Sequence, residues 1–267
     1  MRQRQFLVIV RRELAAQLLR WRGVGIYPLA LLPLIIIVLH AVAHRGGHRL
    51  EKETNVLAAL FQFYYLHVGL LLGSASVFTR SFRAEMTDRS LHYSLLAPLR
   101  RELLVVGKLA GGLIATASIF CSAVVACFVT MFYHFPEGRA FLESRQGLGH
   151  LLAYAGTTAL ACLGYGAVFL AIGLLFRNPV LPILVVLGLE TWSGVLPPLL
   201  QRLTVSYYLK PLCPVPAPVE GWSGVFTVVV EPTPTWLAVA GLFALTGIVV
   251  ALACAWVRRL EINYTTE

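Results

Sequence analysis

Leu29-Ala-Leu-Leu-Pro33-Leu-Ile-Ile-Ile-Val-Leu39 is an unbroken apolar run with no polar side chain at alternate positions. A membrane β-strand is about 10 residues long and alternates lipid-facing with lumen-facing side chains, so a continuous run reads instead as part of a spanning helix. Extended outward to 24–43, it supplies the ~20 apolar residues that a helix needs to cross the hydrocarbon core. Five further stretches share this character, at 56–78, 109–133, 148–176, 180–200 and 236–257.

The 267 residues are 58% apolar and 13% charged, with a mean hydropathy of +0.74. Soluble domains sit near ~45–50% apolar and ~25% charged, so an ordinary soluble enzyme and a disordered polymer are both excluded. Six spans take roughly 120 positions and leave no sizeable soluble domain. The expected fold is an all-α integral membrane protein, one transmembrane domain over 1–267. It comprises an amphipathic helix at 1–22, the six spans, a cytoplasmic connection at 79–108 and an external loop at 201–235.

The net charge of +9 is explained by location. With a cytoplasmic N-terminus, the inside segments hold 15 Lys and Arg and the outside segments hold 7. That asymmetry predicts both termini in the cytoplasm and requires no nucleic-acid partner. In the leader, Leu7, Val10, Leu14, Leu18 and Trp21 share one helical face, with Arg12, Glu13 and Arg20 elsewhere and Arg4, Arg11 and Gln17 at its border. Such a helix lies along the membrane, its basic side chains toward anionic lipid. The basic leader runs past position 20 and the core behind it exceeds the about 7–15 apolar residues of a signal peptide, so Ala41-Val42-Ala43 is not read as a cleavage site. Of the five cysteines, Cys121, Cys127, Cys162 and Cys254 fall in predicted spans and Cys213 in the external loop. Neither a disulfide framework nor a metal-ligand spacing is expected.

The connection between the second and third spans carries the most information: Glu85-Met86-Thr-Asp-Arg89-Ser-Leu91-His-Tyr93-Ser-Leu95-Leu96-Ala-Pro98-Leu-Arg100-Arg101. Thr87 or Asp88 is placed to cap a short helix with Leu91 and Leu95 on one face and Tyr93 and Leu96 beside it, and Ala97-Pro98 ends it. A short amphipathic helix flanked by charge suits docking of a soluble partner, and equally an interfacial position without one.

The order of a basic leader, two spans, Glu85 with Leu95-Leu96-Ala97-Pro98-Leu99-Arg100-Arg101 and Gly107-Lys108, then four more spans resembles ABC-2 type transporter permeases over nearly the whole chain. The resemblance implies that the leader is an elbow helix and that 86–96 is a coupling helix seated on an ATPase subunit. Carried over by position, the ATPase-coupling residues are Glu85, Met86, Arg89, Leu91, Tyr93, Leu95, Leu96, Arg100 and Arg101, with Lys108 on the way into the third span. It further implies a second permease half, identical or related, a separate cytoplasmic ABC ATPase, and export across the bacterial inner (plasma) membrane.

No catalytic or cofactor motif is read in the chain itself. Gly107-Lys108 is followed by Leu109, and Glu102 stands where a phosphate-binding loop needs its first Gly, so ATP and magnesium belong to the partner. HExxH, Gly-x-Ser-x-Gly and paired intramembrane carboxylates are all missing from the sequence. Inside the predicted spans, Glu190 in Gly188-Leu-Glu190-Thr-Trp-Ser-Gly194 is the candidate pathway residue, because an ionised carboxylate at mid-bilayer costs about 2.5 kcal/mol or more. Either it titrates, as in an ion-gradient carrier or channel, or the helix breaks at the flanking glycines and Glu190 sits by a re-entrant surface. Gln62, His67 and His40 read as helix-to-helix hydrogen-bonding groups, and the pairs Gly69/Gly73 and Gly107/Gly111 as ridges for close helix approach.

Overall fold

The computed structural model describes residues 2–18, 25–43, 49–87, 101–193, 196–216 and 234–259. Among them the secondary structure is entirely helical. The elements are α1 (Arg2–Leu18), α2 (Ile26–Ala43), α3 (Leu50–Ala59), a π-helical segment (Leu60–Gly69), α4 (Leu70–Thr87), α5 (Arg101–Tyr133), α6 (Pro136–Glu143), α7 (Arg145–Leu175), α8 (Val180–Thr191), α9 (Pro198–Gln201), α10 (Val205–Leu209), a 3-10 turn (Lys210–Leu212) and α11 (Thr235–Arg258). Five helices are long and apolar enough to cross a membrane: α2, the continuous 50–86 helix, α5, α7 and α11.

The expected span at 180–200 is not one helix. α8 has 12 residues and so reaches about 18 Å, short of the ~30 Å hydrocarbon thickness. Beyond Thr191 the chain turns, and α9, α10 and the 3-10 turn carry it onward in short pieces. The prolines explain the fragmentation: Pro197 and Pro198 open α9 and Pro211 lies in the 3-10 turn, where a continuous helix would need their missing N–H groups. Elsewhere local chemistry sets helix ends as usual. Ser144 Oγ accepts from Gly147 N at 3.0 Å to start α7, and Pro136 occupies the first turn of α6.

Two irregularities in neighbouring helices answer one another. Pro33 lies inside α2 and cannot donate to the Leu29 carbonyl four residues earlier. The hydroxyl of Tyr64 donates to that oxygen at 2.9 Å, and Tyr65 donates to Ala30 O at 3.0 Å. Both tyrosines stand in the π-helical segment, which changes the angular step along the helix and so presents these adjacent residues toward α2. A carbonyl left unsatisfied in an apolar bundle costs about 1–3 kcal/mol, so the tyrosines let a proline be kept within a spanning helix.

The bundle closes around aromatic side chains set against small residues. Phe78 of α4 is fully buried between α5 and α7, where a Cβ on Gly112 or Gly166 would approach its ring to 2.6 Å and 2.7 Å. On the same principle α1 packs on α5: a Cβ at Gly107 would stand 2.7 Å from Ile9, and one at Gly111 would stand 2.7 Å from Glu13 Cβ and 2.9 Å from Val10 O. Gly73 takes the Phe120 ring in like manner. Both glycine ridges are therefore contact surfaces within one chain.

The face of α1 that packs differs from the expected one. Ile9, Val10 and Glu13 meet α5, Glu13 is 7% exposed, and Leu7 is 62% exposed. Periodicity weighs apolar side chains alone and so places the charged residue on the outer face; a buried partner on another helix, described next, reverses that assignment.

Candidate functional site

Glu13, Ser81, Glu85 and Lys108 come from three separate helices and converge where the 88–100 connection leaves and re-enters the bundle. Lys108 of α5 is 2% exposed. Its ammonium lies 3.0 Å from Glu85 Oε1 and 3.8 Å from Glu13 Oε2, donates to Ser81 O at 2.5 Å, and stands 4.9 Å over the Phe82 ring. Glu13 of α1 also accepts from Ser81 Oγ and, at 2.9 Å, from Gln17 Nε2. Arg12 reaches Glu85 at 4.0 Å from the exposed side. Two carboxylates and two cations balance formally, with Glu85 and Ser81 O at hydrogen-bond distance from Lys108 and Glu13 held by charge alone. Such a buried network contributes little net stability but fixes one arrangement of its helices, because removing any single member strands a charge.

The far root of the connection is tied as well. Arg101 Nη1 donates to Arg258 O at 3.2 Å and Val257 O at 3.4 Å, satisfying terminal carbonyls of α11, while Arg258 pairs with Glu102 at 2.5 Å. Both roots of the 88–100 connection are thereby joined to other parts of the bundle: Glu85 to α1 and α5, Arg101 and Glu102 to α11.

Of the residues assigned to ATPase coupling, Glu85, Met86 and Arg101 are seen in these positions. Met86 packs against the core and takes a 3.8 Å contact from Arg83 Nη1 at its sulfur. Arg89, Leu91, Tyr93, Leu95, Leu96 and Arg100 lie outside the described residues, as does the short helix expected there.

Glu190 lies near the end of α8, 3% exposed, and is the buried residue of that helix. Val205 N donates to its Oε1 at 2.6 Å; Ser206 N and the Tyr165 hydroxyl donate to its Oε2 at 3.0 Å and 3.2 Å. Tyr165 is also 3.3 Å from Leu66 O, and Ser206 Oγ from Ser193 Oγ at 3.2 Å. The carboxylate thus fastens the first N–H groups of α10 to α8 and, through Tyr165, to α7. The helix interruption anticipated around Gly188 and Gly194 falls at Thr191, and Glu190 supports it.

The remaining intramembrane candidates also have partners. Gln62 Nε2 donates to Val215 O at 2.8 Å, His67 Nδ1 is 2.6 Å from Gln62 O, and His40 is 3.1 Å from the buried Glu53. Sequence reasoning did not find Glu13, Ser81 or Tyr165. A lone acid in a basic leader and a lone lysine entering an apolar run were the available signals for Glu13 and Lys108; nothing local marks Tyr165.

Among the described residues no group of three or more His, Cys, Asp or Glu could hold a metal ion. No family model matches the chain, and no curated protein matches it.

Proposed function

We propose that the chain is the membrane permease subunit of an ATP-driven, ABC-2 type exporter, with the ATPase on a separate cytoplasmic subunit and a second permease half completing the pathway. In this reading both termini are cytoplasmic and α1 is the elbow helix. α8 to the 3-10 turn make the sixth, broken crossing. ATP-driven movement of the partner pushes on 86–96, and the connection passes that displacement into α1, α5 and α11.

The observation that carries the reading is the Lys108 network with its three helices. A loop that merely linked two spans would need no buried ion pairs at its root, whereas a loop that transmits force needs roots that move as one body. The Arg101 contacts to α11 and the basic bias of the predicted inner segments agree with it. Against the carrier alternative stands the bonding of Glu190, whose two oxygens accept from donors that hold α10 in place.

The test is association. The tagged chain purified from its native membrane in mild detergent is expected to bring an ABC ATPase with it. Substituting Leu91→Asp with Leu95→Asp is expected to abolish that association while membrane insertion persists. Undiminished capture by the double variant overturns the coupling assignment, and capture of no ATPase by the wild type overturns the class.

A further inference from the structure

We propose that the outward stripe of α1, formed by Arg4, Leu7, Val8, Arg11 and Arg12, is a docking surface for anionic phospholipid, and that Arg12 exchanges there between a lipid phosphate and Glu85. Positions 4, 7, 8 and 11 recur at helical spacing and share one face, and position 12 stands at its edge. All five side chains are exposed, Leu7 at 62% and Val8 at 65%. The opposite face sets Ile9 and Glu13 against Gly107 and Gly111 of α5, so the stripe points away from the bundle. Of the apolar face read from periodicity, only Leu7 belongs to it.

The level at which α1 packs along α5 decides what the stripe meets. α5 has 33 residues, about 50 Å, against a hydrocarbon core of ~30 Å, so its ends stand outside the core. Glu102 and Lys108 mark the end that carries α1 as one that emerges among the headgroups. Leu7 and Val8 there have acyl chains within reach, and Arg4 and Arg11, about 10 Å apart along the axis, flank them at the level of the phosphates. Neither arginine has a carboxylate within ion-pair distance among the described residues. A guanidinium meets a phosphate with paired N–H bonds. Two apolar side chains between guanidiniums suit a lipid better than an acidic protein face, which would set charge against Leu7 and Val8.

Arg12 ties this surface to the root of the 88–100 connection. Its Nη2 lies 4.0 Å from Glu85 Oε1, and its side chain is 69% exposed. An exposed pair at that separation is weak, and Lys108 stands closer to the same oxygen at 3.0 Å. A phosphate can therefore take Arg12 while Glu85 keeps Lys108, and the charge of the lipid is felt at a carboxylate of the buried network. The site rests on α1 and its packing alone and stands whether or not an ATPase is the partner.

The experiment is arginine footprinting of the purified full chain with phenylglyoxal, read by mass spectrometry, in nanodiscs of phosphatidylcholine or of phosphatidylglycerol. Arg145, exposed at the start of α7, is the internal control. Phosphatidylglycerol is expected to slow Arg4, Arg11 and Arg12 about fivefold relative to Arg145. Leu7→Ser with Val8→Ser, a change confined to exposed side chains, is expected to remove most of that protection. Equal rates in the two lipids, or a slowing that Arg145 shares in full, overturn the docking surface, and so does undiminished protection in the double variant. An Arg12 rate that stays constant while Arg4 and Arg11 slow overturns the exchange with Glu85. Protection present in native membranes and in neither nanodisc marks a protein on this face and overturns the lipid.

Discussion

The Lys108 ammonium and Glu85 Oε1 stand 3.0 Å apart, joining the last turn before the 88–100 connection to the first turns after it. Lys108 is almost wholly enclosed, so replacing it by Met leaves Glu13 and Glu85 without their shared cation. The expected loss is about 3 kcal/mol of stability, against a smaller loss for Glu85→Gln. A double-mutant cycle between Glu85→Gln and Lys108→Gln, read by unfolding in detergent, is expected to give a coupling above about 1 kcal/mol. Additive losses refute a direct pair.

Close approach of α1 to α5 makes Gly111 intolerant of bulk. Gly111→Leu is expected to cost about 1–3 kcal/mol and to lift α1 off the bundle, freeing the backbone after the already exposed Arg11 and Arg12 for cleavage by trypsin. Gly156, where an added Cβ meets nothing within 4 Å, serves as the control, and Gly156→Ala is expected to leave the digestion pattern as it was. Equal trypsin sensitivity of the two variants contradicts the packing described.

Tyr64 and Pro33 form a compensating pair, which gives a prediction of sign. Tyr64→Phe strands Leu29 O and is expected to cost about 1 kcal/mol. Pro33→Ala restores an N–H four residues along, so the same tyrosine substitution in that background is expected to be nearly silent. If Tyr64→Phe costs as much in the Pro33→Ala background as in the wild type, the hydroxyl is not serving the proline's orphan carbonyl.

Glu190 holds two backbone N–H groups, and amide exchange reads them directly. In Glu190→Ala the Val205 and Ser206 amides are expected to exchange at least tenfold faster, with Tyr165→Phe producing a lesser change. Protection that survives Glu190→Ala returns this residue to the role of an intramembrane titrating group.

Much of the architecture was legible because apolar length is a local property. The runs around Leu29–Leu39 and 236–257 announce spans irrespective of what lies beside them. The stretch 180–200 misled for the same reason: it is apolar enough to cross, and its interruption shows only in the prolines that open α9 together with Glu190 placed under Val205 and Ser206. Glu85 was singled out through the family resemblance as a coupling residue, and its pairing with Lys108 was not foreseen. Glu13 was not, since its burial depends on Lys108, 95 positions further along the chain. Nothing local marks Tyr64, and its use is visible only once Pro33 lies beside it.

The π-helical segment at Leu60–Gly69 carries one cluster of polar contacts and runs without interruption into the helix that carries another. Gln62, Tyr64 and Tyr65 lie within it, while Ser81 and Glu85 follow in α4. Loss of a single residue from this segment turns everything beyond it by about 100° relative to everything before. Tyr64 and Glu85 could not then both keep their partners. The helix therefore tolerates substitution far better than insertion or deletion, and the count of residues from Gln62 to Glu85 is as much a part of the design as their identities.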